Sequence, residues 1–256
     1  MNSKTRLNSE SQEAIAQLLK PYLQQADNLL VQKTYMGGSE AFISSVSLEW
    51  IASKVGFASE LPLFQPHLDE TGNVERDTET VEDILQRPLD WSRQATLTQY
   101  LTNHKDHKFP ALLVVLSPAW VDDPKAPQWD KDGCATQSAI EFLPLDSHEK
   151  LGLLQMSSDV SVFALDGQHR LMGIQGLMEL LRTGRLQPYS KLKKPIGDAI
   201  TVREMTKKFG ITPQQLQQLS QETIGVEFIP AVVKGETRAE ARQRVRSIFV
   251  HVNLMA

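Results

Sequence analysis

The chain has 256 residues, 41% hydrophobic and 23% charged, the balance of a soluble globular protein long enough for one large domain or two small ones. Its formal net charge of −4 argues against a protein that coats nucleic acid by bulk electrostatics, and it leaves room for a local basic surface. A single cysteine, Cys134, excludes an internal disulfide and a cysteine-rich metal site; with no bilayer-length apolar run and no apolar signal core at the N-terminus, a cytoplasmic protein without a membrane partner is expected.

Residues 9–31 predict an amphipathic helix capped by Ser9 or Ser11, with Ile15, Leu18, Leu19, Tyr22 and Leu23 at helical spacing. The stretch 37–56 starts as a short strand and passes into a helix, and 62–80, with Pro62, Pro66 and Gly72, reads as a loop inside an acidic tract at 67–83. A helix follows at 90–104, with Trp91, Leu97, Tyr100 and Leu101 on one face, and then a buried strand at 109–117. A loop leads to a strand at 138–145, and a second central strand at 160–165 feeds a helix at 169–184. A basic linker, a short helical pair at 201–221, a strand at 226–234 and a helix at 237–249 complete the order. Alternating strands and helices place the chain in the α/β class, with a mixed sheet flanked by helices. The chain stops directly after "FVHVN" with no closing element, as a truncated or split chain would.

The stretch "FALDGQHRLMGIQGL" (163–177) sets an acid, a glycine, an amide, an imidazole and a guanidinium at a strand-to-helix turn. A helix's first turn presents unpaired N–H groups and the positive end of its dipole, a seat for an anion. Gly167 permits a tight turn or close backbone approach, and Arg170 offers a bidentate fork to phosphate or carboxylate. Gln168 and His169 can donate to the same oxygens or orient a water, and Asp166 can cap the helix or hold a divalent ion against a phosphate. The alternative makes Asp166 a cap, pairs Arg170 with an acidic neighbour and leaves His169 a surface residue.

"ALDGQHRLMGI" resembles the signature of the DGQHR-domain proteins, which include the DndB-like proteins encoded with bacterial DNA phosphorothioation systems. "RPLDWSRQATLTQYL", "FPALLVVL" and the late "RSIFVHVN" follow in that family's order, so the resemblance spans roughly residues 87–253. It implies a ParB/sulfiredoxin-like core over 87–256, preceded by a helical and strand segment at 1–86 and carrying a helical insertion at 201–223. It also implies a nucleotide or DNA phosphate as ligand at Gly167, Gln168, His169 and Arg170, joined by Arg93 and by Asn253 of the F-x-x-x-N pattern, with His251 nearby. Gln168 stands where sulfiredoxins carry their cysteine, so thiol-phosphoryl chemistry is poorly supported.

"TVREMTKKFGITPQQLQQLSQET" (201–223) has the cadence of a helix-turn-helix, with Gly210 at the turn, Thr212 as cap and Pro213 at the first helical position. Met205, Phe209, Ile211, Leu216 and Leu219 form its expected core. Gln214, Gln215, Gln217 and Gln218 would face a DNA groove, with Lys207 and Lys208 on phosphates; the alternative is a helical insertion with no DNA role. No histidine pair has clear metal-ligand spacing, Trp120 and Trp129 either stack bases or pin their loop, and no Walker loop, dinucleotide fingerprint or Ser/His/Asp order stands out.

Three functions remain open. The first is a phosphate-binding regulator or accessory factor of a bacterial DNA-modification or defence system, working with DNA, other proteins of that system or a second copy of itself. The second is a ParB-like nucleoside triphosphatase in which Asp166 holds magnesium beside ATP, GTP or CTP, His169 and Arg170 bind phosphates, and Gln168 positions water. The third is a sequence-specific repressor working through 201–223.

Overall fold

The computed structural model describes residues 9–23, 28–64 and 89–254. Among the described residues, eight strands form one mixed sheet: β1 (Asn28–Met36), β2 (Ser39–Ser47), β3 (Val55–Phe57), β4 (Leu112–Pro118), β5 (Glu141–Pro144), β6 (Leu151–Gln155), β7 (Val160–Asp166) and β10 (Thr223–Pro230). Their order is β3-β7-β4-β10-β2-β1-β6-β5. β4 and β10 run parallel, β3 and β7 run parallel, and β7 is antiparallel to β4. A second, two-stranded sheet pairs β8 (Arg185–Leu186) with β9 (Ile200–Thr201).

Alternation along the central strands divides the core into two layers. Leu112, Val114 and Leu116 of β4, Val162 and Ala164 of β7, and Val226 and Phe228 of β10 face one layer. That layer is covered by α2 (Leu48–Lys54), α3 (Arg93–Asn103) and α4 (Gln168–Thr183). Val115, Phe163, Leu165 and Ile229 face the other, closed by 3-10 turns at Ala58–Glu60 and Pro62–Phe64 and by a long C-terminal helix over Arg238–Leu254. Every residue of the first layer's strand set is at most 2% exposed, as a sheet covered on both faces requires.

The expected mixed α/β architecture is present, and the differences lie at element ends. The helix expected over 9–31 is α1 (Ser9–Leu23); Asn28 onward is β1, because residues 28–32 pair with β6 and residues 32–36 with β2. The helix expected over 237–249 runs on to Leu254, so residues 249–253 lie inside the C-terminal helix. The hairpin partner β6 and the short β8–β9 pair were not legible in the sequence. Strands from both sides of the expected boundary at 86/87 share one sheet. The boundary itself, the loop beyond residue 64 and the acidic tract 67–83 lie outside the described residues.

α5 (Val202–Phe209) and α6 (Pro213–Leu219) form the expected helical pair. Gly210 closes α5 at φ 69°, and Thr201 and Thr212 begin the two helices with capping boxes to Glu204 and Gln215. Met205 and Leu216 are buried, and Met205 packs with Ala95, Leu180 and Leu186 at the C-terminal half of α4.

Candidate functional site

The DGQHR turn closes β7 and opens α4. Leu113 pairs with Asp166 and Val114 with Ala164, so Leu165 is a bulge residue without a partner on β4. Asn253 supplies the missing bond: its Nδ2 donates to the Leu165 carbonyl at 3.1 Å. The late asparagine thus does reach the turn, as a donor to backbone. His251 is exposed, 3.3 Å from Ser247.

Gly167, at φ 84°, is the N-cap of α4, a place for which Asp166 was a candidate. A β-carbon there would lie 3.0 Å from Arg170 Cζ and Nε and 3.1 Å from Leu112 Cγ, so the guanidinium occupies the space a side chain would need. Arg170 Nη2 donates to Asp166 Oδ2 at 2.6 Å, and Nη1 donates to the carbonyls of Pro110 and Ala111 at 2.9 and 2.6 Å. The arginine expected to grip an external phosphate is an internal brace between the N-terminus of α4 and the entry to β4. Gln168 Oε1 accepts from the Ala58 N–H at 3.2 Å and anchors the 3-10 turn beside β3.

His169 Nε2 accepts from the Asp90 N–H at 3.3 Å, tying the segment before α3 to the turn. Burial, reinforced by the positive charge of Arg93, pushes the His169 imidazole below its ordinary pKa against the opposing pull of Asp90, so the neutral acceptor form is favoured. The Asp90 carboxyl is held below its usual range chiefly by the hydrogen bond from the Ser92 hydroxyl. α3 crosses α4 at Gly173 and Gly176, where added β-carbons would collide with Leu97 and Thr98, so two glycines of "LMGIQGL" set how closely α3 approaches.

On this flank a basic surface emerges that the motif alone did not reveal. Arg93, with 61% of its side chain exposed, sits at the first turn of α3, 4.0 Å from Asp90. The connection from β8 to β9 brings the "KLKKP" loop alongside: the Trp91 N–H donates to the Lys191 carbonyl, and Lys193 Nζ lies 3.8 Å from the Trp91 ring centroid. Trp91 is itself wedged edge-on between Phe57 and Tyr189. Lys191, Lys193 and Lys194 are exposed. The missing signal was tertiary, since Arg93 and Lys191 stand nearly one hundred residues apart.

In the helical pair, Lys207, Lys208, Gln214, Gln217 and Gln218 are exposed. Gln215 instead uses its side-chain oxygen to cap its own helix, accepting from Thr212 N–H at 2.8 Å. For magnesium the turn offers one carboxylate, Asp166, whose Oδ2 is already tied to Arg170, and among the described residues no group of three or more His, Cys, Asp or Glu is placed to hold a metal. As folded, a nucleotide-bound magnesium ion would compete with Arg170 for Asp166. Among the described residues no helix is long and apolar enough to cross a membrane.

Fold and site define a mixed α/β protein whose signature turn is braced from within and flanked by a basic, aromatic-lined surface. Over residues 29–249 the chain matches the DndB family, described as DNA-sulfur modification-associated, and it belongs to that family. No curated protein and no solved structure matches it.

Proposed function

We propose that this chain is a DNA-phosphate-binding regulator or accessory factor of a bacterial DNA sulfur-modification system, with the Arg93/Lys191–Lys194 surface as its contact face. The observation that supports this reading most is the seating of the exposed cations. Trp91 holds Lys193 and the Lys191 backbone beside Arg93, next to the family's signature turn. A local set of cations suits phosphates spaced along a backbone and is compatible with a net charge of −4. In this reading Asp166, Gly167, Gln168, His169, Arg170 and Asn253 shape the turn on which the surface is built.

The test is duplex binding by fluorescence anisotropy across a salt series. The parent should bind at low salt, and Arg93→Ala and Lys194→Ala should each flatten the slope of log K against log salt by about 1, at unchanged melting temperature. A parent that does not bind duplex, or variants with the parent's slope, would overturn the proposal. The exposed Lys207, Lys208, Gln214 and Gln218 favour a second reading, in which the helical pair reads DNA sequence. Lys207→Ala/Lys208→Ala would then lower affinity, and Gln214→Ala and Gln218→Ala would relax discrimination between duplexes. Nucleotide hydrolysis at the turn would require the Asp166–Arg170 pair to open.

A further inference from the structure

At the other end of β7, about 20 Å away along a seven-residue strand, lies a polar cleft of about 580 Å³. It opens where the parallel neighbours β4 and β10 end, between the loop following Pro118 and the segment around Lys234. Crevices at the carboxyl ends of parallel strands are the usual ligand seats of open α/β sheets, and cavities of about 300–1,000 Å³ suit small molecules.

Three features of this cleft point to a ligand. Gln128 lines it, and its Oε1 is buried without a hydrogen-bond partner, which leaves an acceptor calling for a donor. The backbone there is fixed, because the Gln128 carbonyl accepts from both Thr136 N and Oγ1, at 2.8 and 3.0 Å. The half-buried Trp120 forms another part of the wall; Trp129 meets it edge-on and donates from Nε1 to its carbonyl, so Trp129 pins the loop while Trp120 borders the cleft. Finally, the charged lining residues are Glu141, Asp159 and Lys234, two carboxylates against one ammonium.

We infer that this cleft is a binding site for an uncharged nucleoside. The base stacks on Trp120 and presents a donor to Gln128, whose side-chain amide pairs one acceptor with one donor and so matches the amide-like edge of a nucleobase. The sugar hydroxyls donate to Asp159 and Glu141, as acidic residues receive ribose hydroxyls elsewhere. The acidic excess disfavours a phosphate, which separates this site from the basic surface beside the signature turn.

Calorimetric titration of the full chain with adenosine, cytidine, guanosine and uridine, and with their 5′-monophosphates, tests this. At least one nucleoside should bind saturably and more tightly than its monophosphate. Gln128→Leu, close in volume, should weaken it roughly ten- to a hundredfold. Trp120→Ala should weaken it, with partial rescue by Trp120→Phe, while Arg93→Ala and Lys194→Ala leave it unchanged. Saturable binding that Gln128→Leu does not alter, tighter binding of the monophosphate, or no binding of any nucleoside up to 10 mM (on the order of the weakest specific affinities) would each overturn the assignment. Loss of nucleoside binding with duplex binding intact, or the reverse, distinguishes failure here from failure of the DNA-binding proposal.

Discussion

Replacing Arg170 with alanine should lower stability before it lowers ligand affinity. The guanidinium makes three hydrogen bonds, and they are not equal. Those to Pro110 and Ala111 end on carbonyls of exposed residues, which water can serve once the side chain is gone. The bond to Asp166 joins side chains only 18% and 32% exposed, and removing it leaves a carboxylate unpaired where the sheet meets the helix. A charge-assisted bond of this kind is worth about 1.5–3 kcal/mol, and a chain of this size loses about 2–4 °C of melting temperature per kcal/mol, so a fall of roughly 3–12 °C is expected. Arg170→Lys keeps the charge but not the fork, and should recover about half of the loss. The assay is a pair of thermal melts, by circular dichroism and by calorimetry, alongside duplex binding at a temperature where every variant is folded. An Arg170→Ala protein that melts within about 1 °C of the parent yet no longer binds duplex would refute the brace and make Arg170 a ligand group.

Asn253→Leu should leave the buried Leu165 carbonyl unpaired and cost about 1–2 kcal/mol, read from urea unfolding; an unchanged midpoint would show that the bulge needs no donor. Gly173→Ala would set a β-carbon 2.6 Å from Leu97 Cβ and should cost about 1–3 kcal/mol, whereas Gly→Ala at an open helix site without such a neighbour is stabilising. The folded-state pKa of His169 lies below its unfolded value near 6.5, so the unfolded chain binds more protons between the two; the contribution is complete above about pH 6.5 and is lost as pH falls through the folded value. His169→Gln, which keeps an acceptor for Asp90, should therefore lose less melting temperature than the parent between pH 7.5 and 5.5, and equal losses would remove His169 from the acid response. Gln215→Ala should cost about 0.5–1 kcal/mol through its capping box while Gln214→Ala leaves stability unchanged, measured by thermal melts.

Where local chemistry acts over a few residues, the sequence alone was enough. Apolar β-branched runs placed β4 and β7, helical spacing placed α3 and α4, and Gly210, Thr212 and Pro213 placed the turn between α5 and α6, because caps and turns are settled by neighbours in the chain. The five letters of the signature were likewise legible as a special strand-to-helix turn and carried the family resemblance. Tertiary structure decided what each of those letters does. The sequence shows that Arg170 can pair with an anion but not which one, and the fold brings Asp166 and the carbonyls of Pro110 and Ala111 to it before any outside phosphate. The partners of Gln168 and His169, Ala58 and Asp90, lie 110 and 79 residues away, and Asn253 reaches Leu165 across 88. β1 shows the same limit: its apolar run reads locally as the end of a helix, and only pairing with β2 and β6 makes it a strand. Hydrogen bonds and ion pairs act over a few ångströms in space, whatever the separation along the chain, so the partners that fix these roles exist only once the chain has folded.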